Sequence, residues 1–471
     1  MTKAVLLEKI ASKLPYIPTA DQTDMLNRLI DFLFLKNETS LFLLKGYAGT
    51  GKSSLTGGVV QTLRELNQKV VLLAPTGRAA RVFARYAGME AQTIHRKIYR
   101  QKTYSSENFE FTSNRNPHKD TLFIVDEASM IANQSMEGSG YSQGGLLDDL
   151  MEYVYSSDNC RLILIGDTAQ LPPIGQSLSP AMDKGFLEGY GMDVAEFVLT
   201  KVVRQAEESG ILWNATLLRD RIAREEVYDL PKLDLRGFKD IKAVSGEDFL
   251  DLLNDSYRKA GEEEVLIITR SNKRANLYNN GVRARVLYRE DEISSGDLLL
   301  IAKNNYTLAE EYPELSFVAN GETAEIQRVR RRQDIYGFRF AEVTLRLIDR
   351  DITIDARVNI DTLHSDTAAL SHEQMSKLFY AVAEDYRYDY PENVALRKIK
   401  KDPFYNALQV KYAYCMTCHK AQGGQWKHIY IDLGNLNPEH MGLDFYRWLY
   451  TAMTRATDRV YLVNMPDEMI G

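Results

Sequence analysis

The sequence is poor in cysteine and lacks long hydrophobic runs. Three cysteines in 471 residues cannot form a disulfide framework. We therefore expect the protein to occupy a reducing compartment, namely the cytoplasm. No stretch approaches the ~18 apolar residues of a membrane span. The best N-terminal run, at 32–35, is bounded by the charged residues Asp31 and Lys36. The N-terminus also lacks the pattern of a secretory signal peptide. We therefore expect no membrane partner.

The chain also has no excess of positive charge. Its 58 Lys and Arg residues face 65 Asp and Glu residues, which leaves a formal charge of −7. The field of the whole chain would repel a polyanion, so any nucleic acid must be held by a local basic surface. The 44% hydrophobic and 26% charged content is typical of globular proteins, and the length predicts two to four domains.

Short apolar runs alternate with helical patterns in the first half of the chain. The runs lie at 41–44, 70–74, 122–125 and 162–165, and polar or turn residues follow them. Continuous apolar strands that alternate with helices predict a parallel sheet covered on both faces. Ligands of such sheets bind at the carboxyl ends of the strands.

The same pattern returns in the second half of the chain. Strand-like runs at 265–269, 429–432 and 460–463, with a helix at 446–454, predict a second α/β domain. Alternating segments at 341–348 and 352–358 predict a β-rich insertion, and a polar segment at 96–120 suits a hairpin. We predict a lead-in at 1–20, a first domain at 21–199, a second at 200–293 and 407–471, and its insertion at 294–406.

The segment GYAGTGKS at 46–53 is the strongest functional signal. It matches the phosphate-loop pattern and lies between a predicted strand and a predicted helix. Its backbone N–H groups are expected to surround phosphate oxygens, Lys52 to reach the β- and γ-phosphates, and Ser53 to bind Mg²⁺. The predicted ATP-binding residues here are Gly46, Ala48, Gly49, Thr50, Gly51, Lys52, Ser53 and Ser54.

Two further strands end in polar residues that suit the same chemistry. Asp126 and Glu127 follow an apolar strand, where Asp126 can hold Mg²⁺ and Glu127 can position and deprotonate the attacking water. Gln170 follows another strand, within GDTAQ, and could sense the γ-phosphate. The alternatives are a solvated acidic turn and an ordinary turn. No second phosphate loop is present, so one ATP per chain is expected.

The ordered motifs resemble superfamily 1 helicases. The phosphate loop, APTGRA at 74–79, TIH at 93–95, DEASM at 126–130 and GDTAQLPP at 166–173 are similar to the first RecA-like domain of that superfamily. The later segments LTKVVRQ at 199–205, TCHKAQG at 417–423 and YTAMTRA at 450–456 resemble the second domain of its 5′→3′ branch. This is superfamily 1B, the RecD-like class, and the resemblance extends to the helicases of T-even phages.

The resemblance implies a fold of two RecA-like parallel-sheet domains, with a hairpin insertion in the first and an SH3-like β-rich insertion in the second. It implies that Gln22 reads adenine, and that Arg204 and Arg455 of the second domain face the γ-phosphate. Taken alone, a glutamine would be equally well explained without such a role, and each arginine would more often form a surface salt bridge. With Lys52, Glu127 and Gln170, these arginines form the predicted catalytic set.

The family also implies a track for single-stranded DNA. Its predicted contacts are Pro75, Thr76, Arg78, Thr93 and His95 in the first domain, and Thr417, His419 and Lys420 in the second. Thr and Lys suit phosphates, and His or Pro can pack on a base. Phe109 lies where the family has its strand-separating hairpin, although an ordinary hairpin contact explains it equally. The basic runs at 328–332 and 397–401 are better explained as solvated faces.

The prediction is therefore an ATP- and Mg²⁺-dependent 5′→3′ DNA helicase of replication, recombination or repair. We expect it to act as a monomer on single-stranded DNA and forks, with a single-strand-binding protein as partner. The alternatives are an RNA-directed motor of the same class and a P-loop kinase or other ATPase. The segment CMTCH at 415–419 matches a haem-attachment pattern, but it has no second metal-ligand pair, and we interpret it as structural.

Overall fold

The computed structural model describes residues 2–35, 37–101, 111–133, 145–203, 208–312, 315, 317–434, 436 and 441–471. Arg204 and Phe109, two of the predicted site residues, lie outside these ranges, as does most of the Gly/Ser-rich segment at 138–145. None of the described helices is both long enough and apolar enough to cross a membrane.

The first half of the chain forms a parallel α/β domain. Its elements are α1 (Lys3–Ser12), α2 (Ala20–Phe34), β1 (Ser40–Gly46), α3 (Lys52–Glu65), β2 (Lys69–Ala74), α4 (Gly77–Ala87), β3 (Ala91–Thr93), α5 (Ile94–Ile98), β4 (Tyr99–Gln101), β5 (Phe111–Ser113), β6 (Thr121–Val125), α6 (Leu146–Tyr155), β7 (Arg161–Gly166), α7 (Lys184–Glu188) and β8 (Asp193–Leu199). Six strands form one sheet in the order β3-β2-β6-β7-β1-β8, and β4 and β5 pair separately as antiparallel strands. The four predicted strands of this domain are confirmed.

This first sheet buries both of its faces. Along β1, Leu41 and Leu43 enter one hydrophobic cluster, whereas Phe42 and Leu44 enter the cluster on the opposite face. Successive side chains of a strand point to opposite faces, so an uninterrupted apolar run is what a doubly covered strand requires. Helix α1 packs into the second of these clusters through Ile10, so the predicted lead-in at 1–20 contributes to the core of the first domain.

The second half of the chain contains another parallel sheet and a closed barrel. Its elements are α8 (Gly210–Ala223), β9 (Ile241–Val244), α9 (Phe249–Ala260), β10 (Val265–Thr269), α10 (Asn272–Arg285), β11 (Leu298–Ile301), β12 (Thr323–Ile335), β13 (Phe338–Leu347), β14 (Ile352–Asn359), α11 (Asp361–His364), α12 (His372–Arg387), α13 (Glu392–Lys401), β15 (Leu408–Tyr412), β16 (Cys415–Thr417), α14 (Cys418–Ala421), β17 (Trp426–Asp432), α15 (Leu443–Met453) and β18 (Ala456–Val463). The sheet has the order β16-β10-β17-β18-β9, and β11 to β15 close the barrel.

The barrel is the predicted β-rich insertion, and its last strand lies beyond the predicted boundary at residue 406. Strand β15 pairs with β11 and β14, so the barrel closes only after the helical pair α12 and α13. The prediction places 407–471 in the second α/β domain, and a buried apolar run such as 408–412 looks the same in a barrel or a parallel sheet. Residues of both parallel-sheet domains line one cleft.

Candidate nucleotide site between the two domains

The phosphate loop begins where β1 ends and leads directly into α3. Gly51, the residue before the helix, has φ +85°, and a Cβ there would lie 2.6 Å from Gln22 Nε2 and 2.7 Å from the Tyr16 hydroxyl. A left-handed backbone and this close approach both require glycine. The Lys52 ammonium donates to the Tyr47 carbonyl across 2.8 Å and lies 3.9 Å from Asp167 Oδ2. The loop is therefore formed as its sequence pattern predicts.

A cleft of about 450 Å³ lies against this loop and is lined by both domains. The predicted residues that line it are Ala48, Gly49, Gly51, Lys52, Ser53, Ser54, Asp126, Glu127, Gln170 and Arg455. The second half of the chain contributes Ser209, Leu212, Asp240 and Thr457 to the same wall. Residues more than 300 positions apart in the sequence thus meet around one cavity, which is large enough for a small-molecule ligand.

Arg455 reaches the acidic side of the cleft from the second domain. Its guanidinium lies 3.4 Å from Glu127 Oε1, and Arg455 is only 4% exposed. Two carbonyls of the second domain, those of Thr451 and Gly424, hold the same guanidinium in place. An arginine fixed in this way places a permanent positive charge next to the carboxylate that is predicted to activate water.

Carboxylates are concentrated at this end of the cleft. Burial, followed by the neighbouring charge of Glu127, raises the pKa of Asp126 to about 6. Burial likewise raises the pKa of Asp167, against the opposing effect of Lys52. Buried carboxylates are costly without positive charge beside them, so the cleft suits a divalent cation in addition to Lys52 and Arg455.

Tyr86, which the sequence analysis did not single out, lies where Mg²⁺ is predicted to bind. Its hydroxyl donates to Asp126 Oδ2. Burial and then Asp126 raise the pKa of Tyr86 well above its usual value, and a hydrogen bond to Ser53 opposes that shift. One hydroxyl thus meets the oxygens of both predicted metal ligands, which places Ser53 and Asp126 close together. Such a pair of oxygen donors fits the preference of Mg²⁺.

Gln22 contacts the phosphate loop from outside the lining of the cleft. It is fully buried, its Nε2 donates to the Thr50 carbonyl across 2.9 Å, and its Oε1 accepts from the Thr19 N–H at 3.0 Å. Thr19 and Gln22 form a capping box at the start of α2, which explains this orientation. Tyr16 lines the cleft beside Gln22 and is a further residue that the sequence analysis missed.

The predicted DNA contacts occupy neighbouring strand ends. Strands β2 and β3 run parallel with Ala74 opposite Thr93, so the loops at 75–78 and 93–95 are adjacent. In the second domain, Gly423 has φ +73°, and a Cβ there would lie 2.8 Å from Ala79 and 3.1 Å from Thr76. The structure therefore brings the segment after Lys420 against the first-domain loop.

The side chains of the predicted DNA contacts differ in their exposure to solvent. His419 is exposed, and Lys420 is partly buried with a pKa lowered by that burial. Burial also lowers the pKa of His95 to about 4, so this imidazole is neutral at pH 7. Arg78 does not point freely into solvent. Its guanidinium stacks 3.9 Å from the centre of the Trp426 ring and lies 3.4 Å from Thr323 Oγ1 of the barrel.

The cysteines of the CMTCH segment lie in the interior of the second domain. Cys415 and Cys418 are buried free thiols, and burial raises the pKa of both. Within the described ranges, no group of three or more His, Cys, Asp or Glu side chains is arranged to hold a metal ion.

The fold and this cleft define a P-loop nucleotide-binding protein built from two parallel-sheet domains. Two family models match parts of the chain. The model described as an AAA domain matches residues 19–231, and that of the UvrD-like helicase C-terminal domain matches residues 412–463. The chain is 25% identical over 430 residues to the ATP-dependent RecD2 DNA helicase of Deinococcus radiodurans, with 89% of this chain and 46% of that protein covered.

A second relative comes from a phage. The ATP-dependent DNA helicase dda of Enterobacteria phage T4 is 25% identical over 278 residues, which are 57% of each chain. A solved Pif1 helicase from Bacteroides, in complex with ADP-AlF3 and single-stranded DNA, aligns with 97% of this chain and 95% of its own at 16% identity and a TM-score of 0.48. This chain spans about half the length of its RecD2 relative. In its matched regions this chain is therefore similar to ATP-dependent DNA helicases.

Proposed function

We propose that this chain is an ATP-driven motor that moves 5′→3′ along single-stranded DNA and unwinds duplex DNA at forks. The observation that carries this proposal is the contact between Arg455 and Glu127 across the interdomain cleft. Because groups of both domains surround the phosphate loop, the geometry of the site depends on how the domains are placed. Nucleotide binding and hydrolysis can then change the distance between two DNA-binding loops.

The residues of the cleft divide the chemistry among them. Lys52 is proposed to hold the β- and γ-phosphates, and Glu127 to orient and deprotonate the attacking water. Gln170 contacts the γ-phosphate, and Arg455, joined by Arg204, stabilises the negative charge of the transition state. Ser53 and Asp126 would hold Mg²⁺, which when bound supplies charge neutralisation at the phosphate oxygens. Gln22 is proposed to read the adenine, and Gly46 and Thr50 to bind ATP with the other loop residues; the hydrogen bond from Gln22 to the Thr50 carbonyl connects them.

The DNA track follows from the same arrangement. Thr76, Arg78 and Thr93 in the first domain, and Thr417 and Lys420 in the second, are proposed to bind phosphates. Pro75, His95 and His419 are proposed to pack on bases or sugars. Phe109, at the predicted hairpin, is proposed to separate strands, and the proposed 5′→3′ direction rests on the family resemblance. Roles in replication, recombination or repair, a monomeric state and a single-strand-binding partner are part of the same proposal.

Two measurements test the proposal. ATP hydrolysis should rise strongly when oligo(dT) is added, and a fork with a 5′ single-stranded tail should be unwound while its 3′-tailed counterpart is not. Equal stimulation by oligo(U) would favour an RNA-directed motor, because phosphate contacts alone do not distinguish the two polymers. No stimulation by either polymer would favour a P-loop kinase or another ATPase and would contradict the proposal.

A further inference from the structure

Helix α15 of the second domain brings a buried hydroxyl into the phosphate loop of the first. The Tyr450 hydroxyl donates to Asp167 Oδ2 across 2.6 Å and accepts from the Ala48 N–H at 2.8 Å. Tyr450 is 1% exposed. The hydroxyl therefore forms two interdomain hydrogen bonds to residues that line the nucleotide cleft, and Tyr450 is not part of the catalytic set above.

The Ala48 N–H belongs to the loop whose backbone donors surround phosphate groups. An N–H group makes one well-aligned hydrogen bond, and in this structure that bond goes to Tyr450. A phosphate oxygen that accepts from Ala48 must therefore replace the tyrosine hydroxyl. Phosphate oxygens are charged acceptors, whose hydrogen bonds are about twice as strong as those of neutral acceptors, so the exchange favours the phosphate.

The other hydrogen bond of Tyr450 connects the same helix to Lys52 through Asp167. Asp167 is 1% exposed, and its carboxylate lies between the Tyr450 hydroxyl and the Lys52 ammonium, which is 3.9 Å away. The next residue of α15, Thr451, accepts from the Leu171 N–H at 2.9 Å. Helix α15 is thus attached both to the phosphate loop and to the segment that carries Gln170.

We propose that Tyr450 is a positioning residue that reports nucleotide binding to the second domain. When a phosphate takes the Ala48 N–H, the hydroxyl leaves the phosphate loop, and α15 changes its contact with the first domain. Since α15 leads into Arg455 and its domain carries Thr417 and Lys420, the exchange links the nucleotide to the grip on DNA. This inference rests on the proposed function and assigns to the same cleft its means of regulation.

The decisive variant is Tyr450→Phe, which removes the hydroxyl and keeps the buried ring. In this variant Ala48 has lost its protein acceptor, so nucleotide binding no longer competes with Tyr450. We expect the fluorescent nucleotide mant-ADP to bind about two- to tenfold more tightly, the factor that one neutral hydrogen bond contributes. We also expect that adding ADP changes the affinity for fluorescein-labelled oligo(dT) less than it does in the wild type.

The matched control is Tyr446→Phe, one turn earlier on the same helix. Tyr446 is also fully buried, but its hydroxyl donates to the Asp229 carbonyl inside the second domain. This control should leave mant-ADP affinity unchanged. Weaker or unchanged mant-ADP binding by Tyr450→Phe would overturn the inference, because a hydroxyl that only supports the loop weakens binding when it is lost. If the wild type fails to bind mant-ADP at all, the proposed function itself is wrong.

A measurement on the wild type removes any dependence on how the variant folds. Hydrogen–deuterium exchange in the segment 443–453 should become faster when ADP is added, because ADP takes the Ala48 N–H and lacks the γ-phosphate that Arg455 is proposed to contact. Unchanged exchange in this segment, with ADP binding demonstrated in the same sample, would contradict the release of Tyr450.

Discussion

The guanidinium of Arg455 and the carboxylate of Glu127 lie 3.4 Å apart, although 328 residues separate them in the sequence. Glu127 follows the third strand from the edge of the first sheet, and Arg455 follows α15 in the second domain. Neither domain can form this pair by itself. Any change in the angle between the domains must change the distance between the positive charge and the group that is proposed to activate water.

The first prediction concerns Arg455. Replacing it with Ala removes the second-domain charge from the cleft, so we expect kcat for ATP to fall by about 100- to 1,000-fold, as for other residues that stabilise transition-state charge. The KM for ATP should change much less. Steady-state ATPase assays with saturating oligo(dT) measure both values. Arg459→Ala is the control, because Arg459 is exposed on β18 of the same domain. Equal losses in the two variants would show that the effect is not specific to the cleft.

Lys52 is the subject of the second prediction. Lys52→Ala should abolish ATP turnover, because the phosphates lose their contact with the ammonium, while affinity for oligo(dT) at low salt is largely retained. Lys69→Ala, at an exposed position at the start of β2, should behave as the wild type. Turnover that persists in Lys52→Ala would mean that the phosphate loop is not the catalytic site, whatever the DNA affinity.

Local patterns in the sequence predict much of this architecture. The glycines at 49 and 51 and the apolar runs of β1, β2, β6 and β7 follow local rules, since loop conformation and strand burial depend on residues close in sequence. The lining of the cleft by Lys52, Asp126 and Glu127 follows from the rule that ligands bind at the carboxyl ends of parallel strands.

Contacts between distant segments were not predictable in the same way. Tyr450 is one of many buried tyrosines, and nothing local indicates that its hydroxyl meets Ala48. Arg78 was expected on the DNA track, yet its stacking on Trp426 depends on how the two domains meet. Strand β15 closes the barrel because the chain returns to it after α13. An apolar run of five residues does not indicate which strand it will pair with.

The third prediction uses the stack of Arg78 on Trp426. If Arg78 contacts DNA, its guanidinium must leave the indole ring, and the emission of Trp426 should change when oligo(dT) binds. The measurement needs Trp213 and Trp448 replaced by Phe, so that Trp426 is the sole tryptophan.

Arg78→Lys should abolish the change in emission, because an ammonium cannot form the planar stack. Arg85→Lys, farther along α4, is the control and should retain it. Constant emission upon DNA binding would mean that Arg78 holds the domains together and does not contact DNA.

The fourth prediction separates charged from uncharged members of the track. Lys420→Ala should weaken oligo(dT) binding and reduce the slope of log K against log salt by about one, since one phosphate contact is lost. His95→Gln should weaken binding without changing the slope, because burial lowers the pKa of His95 to about 4 and the ring carries no charge at pH 7. Fluorescence anisotropy at several salt concentrations measures both. A reduced slope in His95→Gln would show that the histidine is charged when DNA is bound.

The last prediction follows from the same histidine in the absence of DNA. The folded-state pKa of about 4 lies below the ~6.5 of an unfolded histidine, so the unfolded chain takes up the proton first as the pH falls. Stability from this group is complete above pH 6.5 and is lost progressively toward pH 4. Between pH 7 and pH 5 the loss should be roughly 1–2 kcal/mol.

His95→Gln should therefore show a smaller drop in melting temperature between pH 7 and pH 5 than the wild type does. His372→Gln, at an exposed position at the start of α12, should show the full drop. Thermal unfolding followed by circular dichroism at the two pH values makes the comparison, and other acid-sensitive groups affect all three proteins equally. If His95→Gln lost as much stability as the wild type, its imidazole would be open to protonation in the folded chain. The histidine could then carry charge to a DNA phosphate, and the assignment of His95 to uncharged contacts would be wrong.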